Sequence, residues 1–177
     1  MGLTQGYVAG KNEAEENYLA FLNQEIKNVT PSPAPQSPSA TPVPKSVSGI
    51  PQQIVWGGPQ LWDVVNKRRQ ELGVNALNQR DELCTIASIR LNELLDLGKL
   101  DGHEGFSNMR ETRPDLEWIF ERYSTIAEFL AVGGRTPEET VSLWENTLGH
   151  KKLLTGGEYV WGCIYAQDTF AVAITAF

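Results

Sequence analysis

The end of the chain constrains the fold most. From Glu158 the apolar spacing changes to a period of two: Tyr159 to Ala166 and Phe170 to Ala176 are rich in aromatic and β-branched residues and are separated by Gln167-Asp168-Thr169. That is the pattern of a β-hairpin. The periodic stretches before it read as helices, and helices gathered ahead of an antiparallel hairpin predict an α+β layered fold rather than alternating βαβ units. No internal repeat is visible.

The helices are marked by their punctuation. Gly58 and Pro59 open the first, with Leu61, Val64, Val65 and Leu72 on one stripe and Gly73 as its stop. A second starts near Asn78 as cap, carries Asp81 and Glu82 in its first turn, and repeats Leu83, Ile86, Ala87, Leu91 and Leu94 at a period near 3.6 before Gly98. Leu100 to Arg113 reads as a polar loop holding His103. Pro114 then starts a short helix with Leu116, Ile119 and Phe120 inward, and Ser124 to Gly134 reads as a connector holding Glu128. Thr136-Pro137-Glu138-Glu139 is a capping box: the Thr hydroxyl accepts from the Glu139 N–H, that carboxylate reaches back to the cap, and Pro stands where its missing N–H is harmless. Val141, Trp144 and Leu148 follow as inward residues, and Gly149 ends the helix just before His150. Trp62, Trp118, Trp144, Trp161, Tyr159 and Tyr165 are expected in the core, with Trp56 partly exposed.

Thr30 to Ser48 reads TPSPAPQSPSATPVPKSVS, Pro-rich and without apolar periodicity, so it cannot bury enough surface to offset its ordering entropy. It is expected to be an extended linker. Upstream, Tyr18, Leu19, Leu22 and Ile26 have helical spacing, but a lone amphipathic helix of that length is marginal in water. The expected division is residues 1–29 as marginal helix or disorder, 30–50 as linker and 51–177 as one domain. The formal net charge is −7. Only Lys67-Arg68-Arg69 and Lys151-Lys152 cluster basic residues, which does not make a phosphate-binding surface, and nucleic acid is not expected as a partner. No apolar run is long enough to predict a transmembrane segment, and Met1 to Gly10 lacks the basic start and apolar centre of a signal peptide.

Four segments in order resemble the CAP superfamily of cysteine-rich secretory, antigen 5 and pathogenesis-related proteins, in particular its short bacterial SCP-like branch. LWDVVNKRRQELGVNAL from Leu61 looks like the family's first helix, and DGHEGF at Asp101 to Phe106 like its first histidine motif. IAEFLAVGG at Ile126 to Gly134 resembles the Gly-Glu-Asn segment, with Glu128 matching its glutamate while Ala127 and Phe129 depart from the flanking Gly and Asn. VSLWENTLGHKKLL at Val141 to Leu154 resembles the tryptophan-to-histidine motif, with Gly149-His150 in place, and VWGCIYA matches the strand that follows. The resemblance covers about Leu61 to Phe177. It implies a three-layer α-β-α sandwich whose antiparallel sheet ends in the C-terminal hairpin, and an extracellular or cell-envelope location.

It also implies a cleft in which two histidines and one or two glutamates converge and can hold a divalent cation, often Zn²⁺. The chain has only two histidines, and both fall on motif positions. The expected metal site is therefore His103, Glu128 and His150, weakly binding and exchangeable. Neutral imidazole nitrogens suit Zn²⁺, and a nearby carboxylate can be a third ligand or can orient an imidazole through its other N–H. The same three residues can instead form a hydrogen-bonded structural network. The family's second carboxylate is replaced by Thr147, leaving Glu145 and Glu104 as alternatives. The implied function is a secreted or envelope-tethered, non-catalytic binding module for a small apolar molecule, a glycan or a protein, the alternative being a metal-assisted hydrolase acting on peptide or cell-wall material. The chain contains no Gly-x-Ser-x-Gly elbow, His-Glu-x-x-His pair or phosphate loop, and Ser107 is the one hydroxyl singled out near a histidine. Cys84 and Cys163 fall on elements that the family fold packs together. They are either a disulfide, worth up to about 4 kcal/mol for a loop of about eighty residues, or two buried thiols, and an oxidising compartment favours the bond.

Overall fold

Two apolar faces of one sheet organise the domain, and helices cover each of them. The structure, a computed structural model, describes residues 55–177. The expected linker and the segment before it lie outside the described residues. In chain order the elements are α1 (Gly58–Glu71), β1 (Asn78–Gln79), α2 (Asp81–Leu97), α3 (Glu104–Thr112), a 3₁₀ turn (Pro114–Leu116), α4 (Glu117–Arg122), β2 (Ile126–Val132), α5 (Pro137–Asn146), α6 (Lys152–Thr155), β3 (Trp161–Gln167) and β4 (Phe170–Ala176). The sheet order is β1-β3-β4-β2. The hairpin β3–β4 and the pair β4–β2 are antiparallel, while the two-residue β1 adds in parallel to the start of β3. Asp168 takes a left-handed φ of 56° at the hairpin tip, as a tight reversal between two twisted strands requires.

The middle strand, β4, shows why two helical layers are needed. Its residues alternate between two buried clusters: Ala171 and Ala173 pack with Leu61, Val65, Val141, Trp144, Leu153 and Leu154 from α1, α5 and α6. Val172, Ile174 and Ala176 pack with Leu83, Ile86, Leu91 and Leu94 of α2, Met109 of α3 and Ile119 of α4. The result is the expected α-β-α sandwich. Cys84 of α2 and Cys163 of β3 are joined as a disulfide with Cα atoms 5.0 Å apart, which fastens the second layer to the sheet.

Several local expectations change. Asn78 pairs in β1, and the cap of α2 is Arg80. The loop expected over Leu100 to Arg113 contains α3, a short and mostly polar helix that buries only Met109 completely. The connector expected over Ser124 to Gly134 contains β2, which is buried on both faces and so lacks the alternation by which strands are read. Helix α5 stops at Asn146, and Leu148 beyond it is 92% exposed rather than inward. The capping box is half as expected: Thr136 Oγ accepts from the Glu139 N–H at 3.1 Å, but the Glu139 carboxylate accepts from the Arg135 N–H at 2.7 Å, one residue before the cap. Trp118 and Tyr165 are exposed, whereas Trp144 is fully buried with its Nε1–H on the Leu130 carbonyl at 2.9 Å.

Candidate functional site

Glu128 is a buried carboxylate in β2, on the side of the sheet that α2 covers, directly across from Ile174 of β4. A buried carboxylate needs a partner, and α2 supplies one. Arg90 lies on the same stripe as Ile86, Ala87, Leu91 and Leu94 and is itself fully buried. Its Nε donates to Glu128 Oε1 at 2.7 Å and its Nη2 to Asp101 Oδ2 at 2.7 Å, while Nη1 pairs with Glu93. Burial alone would lower the Arg90 pKa, but Glu128, Asp101 and Glu93 outweigh it and raise it. The Asp101 carboxyl is likewise pushed up by burial and pulled below its usual range by the Gly105 N–H and by Arg90.

The same Asp101 builds the turn that presents His103. Its Oδ1 accepts the His103 N–H at 3.0 Å and its Oδ2 the Gly105 N–H at 2.8 Å. Between them Gly102 and His103 both take left-handed backbone, φ 63° and 72°. Glycine meets that freely, whereas histidine does so at a small cost, which the two Asp101 bonds offset. The His103 ring then places Nδ1 2.8 Å from Glu128 Oε2. Because a carboxylate only accepts, Nδ1 carries a proton, and in the neutral ring Nε2 keeps its lone pair.

His150 arrives from the turn between α5 and α6, where its carbonyl accepts the Leu153 N–H. Gly149, just before it, does not use a glycine's conformational freedom: its φ is not left-handed, and a Cβ there would meet nothing within 4 Å. The His150 ring stands edge-on to Phe129, with centroids 6.1 Å apart, and to His103 at 5.6 Å. Its Nε2 lies 3.4 Å from His103 Nε2. Burial, and secondarily the neighbouring His103, push its pKa down to about 4.

His103, Glu128 and His150 thus come together from three segments distant in sequence. Among the described residues no set of three His, Cys, Asp or Glu side chains is arranged to hold a metal ion. The convergent donors are the two Nε2 atoms, with both Glu128 oxygens already engaged by Arg90 and His103. The alternatives for a second carboxylate lie elsewhere: Glu104 is exposed, and Glu145 pairs with Arg68 at 2.5 Å. Ser107 is exposed on α3. The residues that the sequence did not single out are Arg90, Asp101 and Gly105. Arg90 left a trace, a charge on the apolar stripe of α2.

No family model matches the chain. It is 28% identical over 134 residues to the uncharacterized protein YkwD of Bacillus subtilis (strain 168), a match covering 75% of this chain and 48% of that protein. The chain thus spans about half the length of this curated relative. Among solved structures it is similar to an extracellular protein containing an SCP domain from Bacillus anthracis, with a TM-score of 0.54 and 17% identity over 67% of this chain and 39% of that one. A cysteine-rich secretory protein from Staphylococcus aureus gives a TM-score of 0.55 and 20% identity over 72% and 40% of the two chains. An outer surface protein from Borrelia burgdorferi gives 0.53 and 21% over 66% and 88%. Three helical-layer elements on each face, the β1-β3-β4-β2 sheet and these likenesses together show that the described chain is a domain of the bacterial SCP-like, or CAP, fold.

Proposed function

We propose that this domain is a non-catalytic extracytoplasmic binding module whose cleft holds a divalent cation of the zinc type weakly between His103 and His150. The observation that carries the reading is the 3.4 Å between the two Nε2 atoms. Two nitrogens, each about 2.0–2.1 Å from one tetrahedral ion, lie about 3.3–3.4 Å apart. Glu128 fits the outer position, since its bond to Nδ1 turns the Nε2 lone pair of His103 toward the same point. Burial, and secondarily His103, push the His150 pKa down to about 4, which favours the neutral imidazole that a metal ion requires. When bound, the ion would supply an electrophilic centre with positions open to an oxygen of the partner.

A binding role is favoured over a hydrolytic one because the candidate acids are engaged: Glu128 by Arg90 and His103, and Glu145 by Arg68. Leu148, two residues before His150 and almost fully exposed, suits contact with a small apolar molecule or a protein. The disulfide fits an oxidising compartment, and the similar proteins described as extracellular, secretory or outer-surface support the same location.

Calorimetric titration of the full chain with Zn²⁺ tests the site. One weakly bound ion per chain is expected near neutral pH, lost in His103→Ala and in His150→Ala, and weakening as pH falls because protons compete for imidazole nitrogens. A wild-type chain that binds no Zn²⁺ leaves the three residues as a structural hydrogen-bond network.

A further inference from the structure

We infer that Arg90 is the positioning residue of the cleft, a single buried guanidinium that sets both the backbone and the ring of His103. This rests on the reading of the two histidines as a cation site, and it names how that site is kept in shape.

Two separate routes run from Arg90 to His103. Through Glu128, the Nε bond at 2.7 Å occupies Oε1, which orients the carboxylate so that Oε2 meets His103 Nδ1 at 2.8 Å. This route fixes the ring and its tautomer. Through Asp101, the Nη2 bond at 2.7 Å anchors the carboxylate whose other oxygen holds the His103 N–H at 3.0 Å. This route fixes the left-handed turn. The donors diverge at fixed angles from one plane, so one side chain can meet carboxylates from β2, from the turn before α3 and from α2 itself. Lysine, a compact point charge, cannot do so.

The surroundings are shaped to let the guanidinium reach. A Cβ at Gly105 would lie 1.9 Å from Arg90 Nη1 and 2.8 Å from Cζ, so α3 can pass over the guanidinium only if that residue is glycine. Burying the guanidinium is unfavourable unless every partner is present. Three carboxylates meeting one cation also leave the cluster negative, which favours a cationic ligand over an anionic one.

The experiment compares wild type, Arg90→Met, Arg90→Lys and Asp101→Ala as full chains. Long-range ¹H–¹⁵N NMR reads the His103 tautomer without added metal, hydrogen exchange reads the His103 amide, and calorimetry reads Zn²⁺ affinity. In wild type we expect a single Nδ1–H tautomer and a protected amide. In Arg90→Met the tautomers should mix and Zn²⁺ affinity should fall about 10–100-fold, the usual effect of losing an outer-sphere partner. Arg90→Lys should move both readouts in the same direction, because it cannot serve both routes. Should Arg90→Met fail to fold, Arg90→Lys decides, with mixed tautomers and lower amide protection expected and wild-type values overturning the inference; Asp101→Ala, which cuts only the backbone route, should keep the tautomer while amide protection falls at least tenfold. A folded Arg90→Met chain with the wild-type tautomer and affinity would overturn the inference, as would Asp101→Ala with unchanged amide protection. If wild type binds no Zn²⁺, the cation reading fails, but tautomer and amide protection still decide the role of Arg90.

Discussion

Replacing Gly105 by alanine should destabilise the domain, although helix propensity argues the opposite. Gly105 lies in the first turn of α3 with ordinary helical backbone, and a glycine there costs about 1 kcal/mol relative to alanine. On propensity alone the substitution is stabilising. The added Cβ, however, would stand 1.9 Å from Arg90 Nη1 and 2.9 Å from Glu93 Oε2. A flexible arginine tip could normally swing aside, but this one is fully buried and fastened to Glu128 and Asp101. Either α3 is pushed outward, at about 1–3 kcal/mol for overpacking, or a charge-assisted bond is broken, at about 1.5–3 kcal/mol. Set against the propensity gain of about 1 kcal/mol, the net loss should be about 1 kcal/mol and at most about 2 kcal/mol. Urea denaturation, with the midpoint and slope fitted for wild type and variant, measures it directly. An unchanged or raised unfolding free energy would show that Arg90 can relocate and that the packing argument is wrong.

Reducing the Cys84–Cys163 bond, or replacing both residues by serine, should lower stability by about 2–4 kcal/mol, since the bridge spans 79 positions. A thiol count on the native oxidised protein should find none, and two free thiols would contradict it. For His150 the folded pKa of about 4 lies below its ordinary value of 6.5. Above pH 6.5 neither state is protonated there. As pH falls from about 6.5 to 4 the unfolded chain takes up a proton that the folded one refuses, so stability should drop by on the order of 3 kcal/mol. Denaturation profiles of wild type and His150→Gln should converge toward the acid end of that window. Parallel profiles would remove the buried-histidine account.

The layered fold was legible wherever one local signal decided one element. The hairpin showed because β3 and β4 carry aromatic and β-branched residues around a polar turn, and α5 showed because a capping Thr, a Pro and two Glu stand together at its start. Strand β2 was not legible, because periodicity reports a difference between two faces. Here both faces are covered: Phe129 and Ala131 turn to one helical layer and Leu130 to the other. The charge of Glu128 in the middle of such a run reads as loop unless its buried partner is known.

The site divides in the same way. His103 and His150 could be placed from sequence because each stands in a short recognisable motif and the chain has no other histidine. Arg90 could not, since its place on the apolar stripe of α2 does not name its partners, and what makes it a buried one is a carboxylate 38 positions away and another 11 positions away. Glycines show the same limit. Gly149 invites a functional reading because it precedes a histidine, yet its conformation needs no glycine. Gly105 gives no such hint, because its necessity comes from the approach of another segment rather than from its own φ. A residue required by its own backbone can be read locally, whereas one required by a neighbour's proximity becomes visible only once the neighbour is in place. Arg90, Asp101 and Gly105 are all of the second kind, and for that reason the residues that support the two imidazoles had to be found in three dimensions while the imidazoles did not.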